Sequence, residues 1–194
     1  GETLSLGKRA LTFVMTPMVH WPESMVAYDA ADGILFAQDA FGAFGSVDGC
    51  VFDDEADFGE KYIDEMRRYY ANIVGKYGAQ VAAVLKKVAA LDVKTICPIH
   101  GLIIRKHIAE AVELYSKWSS YAPEKRGVAI AYASMYGNTK RAAFELAARL
   151  AERGVKEIVV RDLSRTDVSY VVADAFKYSH MVLASVSYNG GLYP

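Results

Sequence analysis

The sequence is poor in cysteine and has no long apolar run. Cys50 and Cys97 are the only cysteines in 194 residues, and they form no Cys-x-x-Cys pair. Two isolated cysteines exclude a disulfide framework and favour a reducing compartment. The first residues lack the basic start and apolar stretch of a secretion signal, and no apolar run is long enough to cross a bilayer. We therefore expect a cytoplasmic protein that does not span a membrane.

Net charge is also nearly absent, because 22 Lys and Arg residues offset 23 Asp and Glu residues. This balance gives no electrostatic reason to expect nucleic acid or an anionic membrane as partner. Hydrophobic residues make up 53% of the chain, enough to build a real core. The chain has no initiator Met and stops in loop residues after a predicted buried strand, so we expect an internal part of a longer protein.

The first part of the chain, residues 1–122, has the pattern of a mixed α/β domain. Short apolar runs separated by Pro, Gly and Asp predict strands, beginning with a hairpin that turns at Gly7. Three- and four-residue spacing, interrupted at Gly78, predicts two helices between residues 54 and 91. A predicted buried strand at 93–97 and a predicted helix over about 106–118 follow.

A polar stretch with Pro123 and Gly127 marks the boundary to a second domain, which we assign to residues 123–194. Strands then alternate with helices, a pattern that predicts βαβ units and a parallel sheet. The predicted strands lie at 128–133, 157–160 and 181–185, and the predicted helices at 139–153 and 168–176. The expected fold class is therefore α/β.

Three residues of metal-binding type, His20, Asp39 and His100, each follow a predicted strand. Strand ends at one edge of a sheet can bring distant side chains together. Imidazole nitrogen and carboxylate oxygen suit a first-row metal, and a carboxylate can bridge two metals. A histidine at a strand end can equally be structural, and Asp39 can be a turn residue or a helix cap. The residues alone leave both interpretations open.

The two other histidines have plainer interpretations. His107 lies beside Lys106 early in a predicted helix, and we expect it to be solvated. His180 precedes a predicted strand and is expected to help end the element before it. Neither is assigned a direct role.

One loop between a predicted strand and a predicted helix has the features of a phosphate site. It offers two hydroxyls, a glycine that permits close backbone approach, and a helix N-terminus with N–H donors. It is neither a Walker loop nor a G-x-G-x-x-G loop. The alternative is an ordinary helix start capped by Asn138 or Thr139. The candidate residues are Ser134, Met135, Tyr136, Gly137, Asn138 and Thr139.

A second loop follows the predicted strand 181–185, at the edge of a parallel sheet where ligands bind. Tyr188 can stack on a flat ring, and the Asn-Gly-Gly backbone after it can approach a ring closely. The alternative is an ordinary glycine-rich loop. The candidate residues are Ser187, Tyr188, Asn189, Gly190 and Gly191.

These segments resemble those of the flavodiiron proteins. Residues 16–25, with His20 ahead of Trp-Pro, resemble the segment that carries a metal-ligand histidine. Residues 35–42 resemble the segment with the bridging aspartate, and 96–101 the segment with the last histidine. The loops at 134–139 and 187–194 resemble two FMN loops of the family's flavodoxin module.

The resemblance implies a partial metallo-β-lactamase-like αββα domain followed by a partial flavodoxin-like, doubly wound parallel sheet. It implies two iron ions, one bound by His20 and the other by His100, with Asp39 as the bridging ligand. It also implies that the two loops bind FMN. Further metal ligands, in a His-x-Glu-x-Asp-His segment, and a third FMN loop would lie outside these residues. The implied activity is reduction of dioxygen to water or of nitric oxide to nitrous oxide. A rubredoxin-like or other donor would supply electrons to a head-to-tail homodimer.

Three other interpretations stay open. The first is a zinc-dependent hydrolase of the metallo-β-lactamase type, against which the flavin loops argue. The second is an FMN electron carrier with a vestigial metal domain, against which the presence of His20, Asp39 and His100 argues. The third is a fragment that has the fold and no activity.

Overall fold

The computed structural model describes residues 1–46 and 49–193. Two compact units divide the chain, Gly1–Tyr121 and Ala122–Pro194. Pro194, the last residue of the predicted second flavin segment, lies outside the described residues. Among the described residues, no helix has the length and apolar character needed to cross a membrane.

The first unit is built on a five-stranded mixed sheet with strand order β1-β2-β3-β4-β5. Its strands are β1 (Thr3–Ser5), β2 (Ala10–Met15), β3 (Met25–Asp29), β4 (Ile34–Gln38) and β5 (Thr95–Pro98). The first three pairings are antiparallel, which confirms the predicted N-terminal hairpin, and β4 pairs with β5 in parallel. Two successive antiparallel pairings leave β2 pointing the same way as β4. The carboxyl ends of β2, β4 and β5 therefore lie at one edge of the sheet.

Helices follow β4 and β5 in the first unit. They are α1 (Glu60–Tyr69), a π-helical segment (Tyr70–Val74), a 3₁₀ turn (Gly75–Tyr77), α2 (Gly78–Val88) and α3 (Ile108–Ser119). The predicted break at Gly78 coincides with the start of α2. A Cβ at Gly78 would lie 2.4 Å from the Ser119 carbonyl oxygen, so only glycine permits this approach between α2 and the end of α3.

The second unit contains a three-stranded parallel sheet and two helices. Its elements are β6 (Lys125–Tyr132), α4 (Asn138–Glu152), β7 (Ile158–Asp162), α5 (Val168–Lys177) and β8 (Tyr178–Ala184), followed by a hairpin of β9 (Ser187–Tyr188) and β10 (Gly191–Leu192). The strand order is β7-β6-β8, with both pairings parallel. The α/β class predicted from the sequence is confirmed.

The chain leaves β6 toward β7 on one side and returns across β6 to reach β8 on the other. Right-handed crossovers in opposite directions put α4 and α5 on opposite faces of the sheet. Val128, Ile130 and Tyr132 of β6 pack with Ala143 of α4 in one buried cluster. This order is that of the first three strands of a flavodoxin-like sheet, whose switch point lies between its first and third strands.

Candidate metal and flavin sites

The structure brings His20, Asp39 and His100 together at the shared edge of β2, β4 and β5. His20 lies in the loop between β2 and β3, Asp39 directly follows β4, and His100 follows β5. The Nε2 atom of His20 is 3.4 Å from Asp39 Oδ2, and the Nε2 atom of His100 is 3.4 Å from Asp39 Oδ1. Each carboxylate oxygen thus faces a different imidazole.

Backbone hydrogen bonds fix the three loops that carry these side chains. The His20 loop is closed by Thr16 N–H, which donates to the Ser24 carbonyl at 2.8 Å. The Asp39 turn is closed by Gly42 N–H, which donates to the Asp39 carbonyl at 3.1 Å. The His100 carbonyl accepts from Ala43 N–H at 3.2 Å, so the loops after β4 and β5 are tied to each other.

Tyr69, at the end of α1, completes the surroundings of Asp39. Its hydroxyl donates to Asp39 Oδ1 at 3.0 Å, and its ring centroid lies 5.6 Å from that of His100. Burial raises the pKa of the Tyr69 phenol, and the hydrogen bond to Asp39 and the charge of that carboxylate raise it further. Tyr69 therefore stays protonated and remains a donor to the carboxylate. The sequence indicated only that Tyr69 lies in a predicted helix.

The separations suit a carboxylate that bridges two metals. Ligand atoms about 2.1 Å from one metal lie roughly 3.0–3.4 Å apart at octahedral to tetrahedral angles. The two imidazole–carboxylate separations of 3.4 Å fall at the upper end of that range. They are longer than an ordinary hydrogen bond between nitrogen and oxygen. The residue types and spacing therefore fit iron or zinc.

The set is nevertheless incomplete. Within residues 1–46 and 49–193, no group of three or more His, Cys, Asp or Glu side chains forms a cluster that could hold a metal ion by itself. Each imidazole faces one oxygen of Asp39. Two irons need more donors than these three residues supply.

The loop after β6 leads into α4 and leaves the N-terminus of that helix without a side-chain cap. Gly137 occupies the N-cap position of α4 with φ +84°, and α4 has neither a side-chain cap nor an acidic residue in its first turn. The predicted alternative, capping by Asn138 or Thr139, is wrong, because both lie inside the helix and the left-handed glycine takes the cap position. The Ser134 hydroxyl is buried without a hydrogen-bond partner among the described residues. Unsatisfied donors at a helix N-terminus fit an anionic group.

The other candidate residues of this loop differ in exposure. The Tyr136 side chain is 85% exposed, so it is open to a ligand and contributes little to the core. A Cβ on Gly137 would meet no protein atom within 4 Å, which leaves space beside the backbone. Met135 lies between Ser134 and Tyr136 in the same turn.

The loop after β8 forms a tight hairpin between β9 and β10. Asn189 and Gly190 both have positive φ, at +51° and +81°, as a two-residue hairpin turn requires. Tyr188 is 59% exposed, and Gly191 pairs with it across the hairpin. Ser187 opens the hairpin opposite Leu192. The two candidate loops thus follow β6 and β8, the strands that flank the switch point of the sheet.

His107 is not the solvated residue that the sequence suggested. Its Nδ1 atom lies 2.9 Å from Asp53 Oδ2, and its ring stacks on Phe58 with centroids 4.5 Å apart. Asp53 is fully buried and also accepts backbone N–H groups of Arg105, Lys106 and His107. Asp53, far away in sequence, thus anchors the start of α3.

His180 also differs from expectation. It lies within β8 and does not precede it, because the strand begins at Tyr178. Its Nδ1 atom is 2.9 Å from the Ser179 hydroxyl, and its side chain is exposed. It therefore belongs to the strand and does not end the helix before it.

Comparison with known proteins agrees with this architecture. A family model described as ODP family beta lactamase matches residues 1–101. The nitric oxide reductase of Moorella thermoacetica is 33% identical, in an alignment that covers all of this chain and 48% of that protein. The chain spans about half the length of the curated relatives it matches.

Two solved structures match the whole chain. The flavodiiron protein from Giardia intestinalis has a TM-score of 0.94 at 30% identity, and the match covers 100% of this chain and 47% of that one. The rubredoxin oxygen:oxidoreductase from the anaerobe Desulfovibrio gigas has a TM-score of 0.92 at 32% identity, with coverage of 100% and 48%. Because the family model spans more than half of its residues, the chain belongs to the ODP family of β-lactamase-like proteins, and it is similar to flavodiiron proteins along its whole length.

Proposed function

We propose that this chain is part of a flavodiiron oxidoreductase, which reduces dioxygen to water or nitric oxide to nitrous oxide at two irons supplied with electrons by FMN. The observation that carries the proposal is the carboxylate of Asp39, which faces one imidazole with each oxygen. This arrangement suits a pair of metals, and the flavin loops of the second unit are the feature that argues against a zinc-dependent hydrolase. Two similar proteins, a nitric oxide reductase and a rubredoxin oxygen:oxidoreductase, have names that agree with such chemistry.

In this proposal His20 and His100 each offer Nε2 to one metal, and Asp39 offers one oxygen to each. Tyr69 holds the carboxylate in place through its hydrogen bond to Oδ1. When bound, the iron pair supplies the electrons and the coordination positions for dioxygen or nitric oxide. The side chains of His20 and Asp39 are 25% and 14% exposed, whereas that of His100 is 52% exposed, so the site is open to solvent on the His100 side.

The loops at the carboxyl ends of β6 and β8 are proposed to hold FMN. The start of α4 and the Ser134 hydroxyl would bind its phosphate. The exposed ring of Tyr188 would lie against the flavin, with Asn189, Gly190 and Gly191 close to its edge. The flavin would accept electrons from a rubredoxin-like or other donor, and a head-to-tail homodimer in the cytoplasm is the expected assembly. The assignment of residues 1–122 to the metal domain and 123–194 to the flavin domain belongs to this proposal.

The test is the Asp39→Asn variant of the holoprotein, with both half-reactions followed by stopped-flow spectroscopy. A carboxamide carries no charge and has one oxygen, so it cannot bridge two metals as a carboxylate does. We expect FMN reduction by the donor at close to the parent rate and much slower reoxidation by dioxygen or nitric oxide. A matched control is Asp92→Asn, which changes an exposed carboxylate of the same unit.

Metal analysis of the parent and of both variants accompanies the kinetics. Iron in the parent, lost in Asp39→Asn and retained in Asp92→Asn, supports the proposal. Zinc in place of iron favours the hydrolase. Unchanged reoxidation in Asp39→Asn means that the flavin itself reacts with the oxidant, and the electron-carrier interpretation then replaces ours.

A further inference from the structure

A groove of the second unit lies at the opposite end of the parallel sheet from the candidate flavin loops. Its volume of about 630 Å³ falls within the range of small-molecule sites. Arg126 and Val128, at the start of β6, are part of its lining. A strand rises about 3.3 Å per residue, so Arg126 lies roughly 20 Å from Tyr132 at the other end of β6. The groove is therefore separate from the loop at residues 134–139.

The lining of this groove includes four basic side chains from four segments of the unit. They are Arg126 in β6, Arg153 after α4, Lys156 before β7 and His180 in β8, and we name the site the basic groove. Arg126, Arg153 and Lys156 are exposed, and none of the three forms an ion pair with another described residue. The one carboxylate among the described lining residues, Glu157, lies 3.9 Å from Lys125 Nζ and so already faces a cation. The groove therefore holds a local excess of positive charge in a chain whose charges otherwise balance.

The floor of the basic groove is apolar. Val128 is buried, and Leu150 and Val155 are half-buried and pack against it. Val128 pairs with His180 across β6 and β8, so the two side chains lie on the same face of the sheet. The imidazole thus borders the apolar floor, and the groove offers both a positive rim and a surface for an uncharged ring.

The C-terminus of α4 would oppose an anion if its carbonyl groups were free. The turn that ends the helix satisfies them, because Gly154 N–H donates to the Ala151 carbonyl at 2.9 Å and Val155 N–H donates to the Leu150 carbonyl at 3.0 Å. Gly154 has the left-handed backbone that this turn requires, with φ +87°. A helix terminus carries only about half an elementary charge, so the side-chain cations outweigh it.

We propose that the basic groove binds a nucleoside diphosphate. A terminal phosphate carries about −1.5 to −2 near pH 7, and the second phosphate adds about one more negative charge. That total matches the three cations Arg126, Arg153 and Lys156. Guanidinium groups bind phosphate oxygens through two parallel hydrogen bonds, and the apolar floor accommodates the flat base. An inorganic anion would leave this floor unoccupied. The inference does not rest on the proposed function, because the groove and the flavin loops lie at opposite ends of the sheet.

The experiment titrates ADP into the full-length holoprotein by isothermal titration calorimetry, with AMP, adenosine and pyrophosphate titrated in parallel. We expect ADP to bind more tightly than the other three, because it alone offers both a base for the floor and the full negative charge for the rim. Bound FMN keeps ADP out of the flavin loops, and its visible absorbance shows that it stays bound. If the protein as purified contains no FMN, the proposed function fails, whereas the titration still tests the groove.

Two variants locate the binding site. Arg126→Gln and Arg153→Gln each remove a charge-assisted contact with a phosphate and should weaken ADP binding about tenfold or more. The matched control is Arg149→Gln, the same change one helical turn before Arg153, where the guanidinium pairs with Glu145 at 2.7 Å. It should leave ADP affinity unchanged. All three arginines are exposed, so their replacement does not threaten the fold.

Three results would overturn the inference. The first is an absence of ADP binding to the full-length protein. The second is an equal ADP affinity of the parent, Arg126→Gln and Arg153→Gln, which would place the nucleotide elsewhere. The third is pyrophosphate binding as tight as that of ADP, which would make the groove a site for inorganic anions and remove the role of the apolar floor.

Discussion

The buried carboxylate of Asp53 allows a stability effect to be worked out from the structure. Asp53 Oδ1 accepts from Arg105 N–H at 2.9 Å, and Oδ2 accepts from His107 N–H at 2.7 Å and lies 2.9 Å from His107 Nδ1. In Asp53→Asn one oxygen becomes an amide NH₂ group. Whichever way the amide turns, a buried backbone N–H group then faces a donor.

The magnitude follows from the cost of leaving such a group unsatisfied. One buried donor without a partner, together with the loss of a charged acceptor, costs about 2–4 kcal/mol. The free energy of unfolding falls by about 1–3 kcal/mol per molar urea, so the urea concentration at the unfolding midpoint should fall by roughly 1–2 M. A domain is stable by only about 5–15 kcal/mol, so the change is large.

Tryptophan fluorescence measures this effect on the first unit alone. Both tryptophans, Trp21 and Trp118, lie in that unit, and Trp118 is fully buried. The matched control is Asp54→Asn, the same chemical change one residue away, in a partly exposed ion pair with Arg105. Exposed ion pairs contribute little, so Asp54→Asn should leave the midpoint nearly unchanged. Equal midpoints for the two variants would refute the argument.

Asp53 should also make the free energy of unfolding depend on pH. Burial alone would raise the pKa of Asp53, but the N–H groups of Arg105, His107 and Lys106 and the His107 ring outweigh it and lower that pKa below the ordinary value of 3.8. A carboxyl whose pKa is lowered on folding stabilises the protein above the unfolded pKa. That contribution is lost as pH falls below 3.8 and through the folded pKa. The stability difference between the parent and Asp53→Asn should therefore shrink in acid.

Two further variants test the candidate sites. Tyr69→Phe removes the hydrogen bond to Asp39 and should weaken iron binding about 10- to 100-fold, as measured by equilibrium titration. The control Tyr28→Phe loses a hydrogen bond elsewhere in the unit and should leave iron affinity unchanged. Equal iron affinities of the two variants would contradict a positioning role for Tyr69. Gly137→Val should weaken FMN binding in fluorescence titration, because its side chain enters open space beside the proposed phosphate site. Gly154→Val has a similar φ and equally open surroundings at the other end of α4, so it should cost similar stability and leave FMN affinity unchanged.

The position of the candidate metal residues at strand ends was predictable because strands and their ends are encoded locally. The runs before His20, Asp39 and His100 are short and apolar, and turn residues end them. Once β2, β4 and β5 run the same way, their ends meet at one edge whatever the helices do. The same reasoning holds for the loops after β6 and β8, where alternating strands and helices imply a parallel sheet.

The residues that support the site were not predictable, because their partners are distant in sequence. Helical spacing put Tyr69 in a predicted helix but gave no sign that its hydroxyl reaches Asp39. The π-helical turn after it adds to the difficulty, since it shifts the side chains that follow around the helix axis. His107 was expected to be solvated because only its local neighbours were considered. Its interactions with Asp53 and Phe58 arise from the tertiary fold.

The contacts of Asp39 differ in length, and the difference bears on its role. The bond from Tyr69 is 3.0 Å, an ordinary hydrogen bond, whereas both imidazole separations are 3.4 Å. A carboxylate serving only to orient two histidines would be expected to bond them at ordinary length. Tyr69 donates to Oδ1, whereas Oδ2 faces His20. The separations of 3.4 Å fit two atoms that coordinate one ion lying beside the line that joins them, and Tyr69 holds Oδ1 through its hydrogen bond.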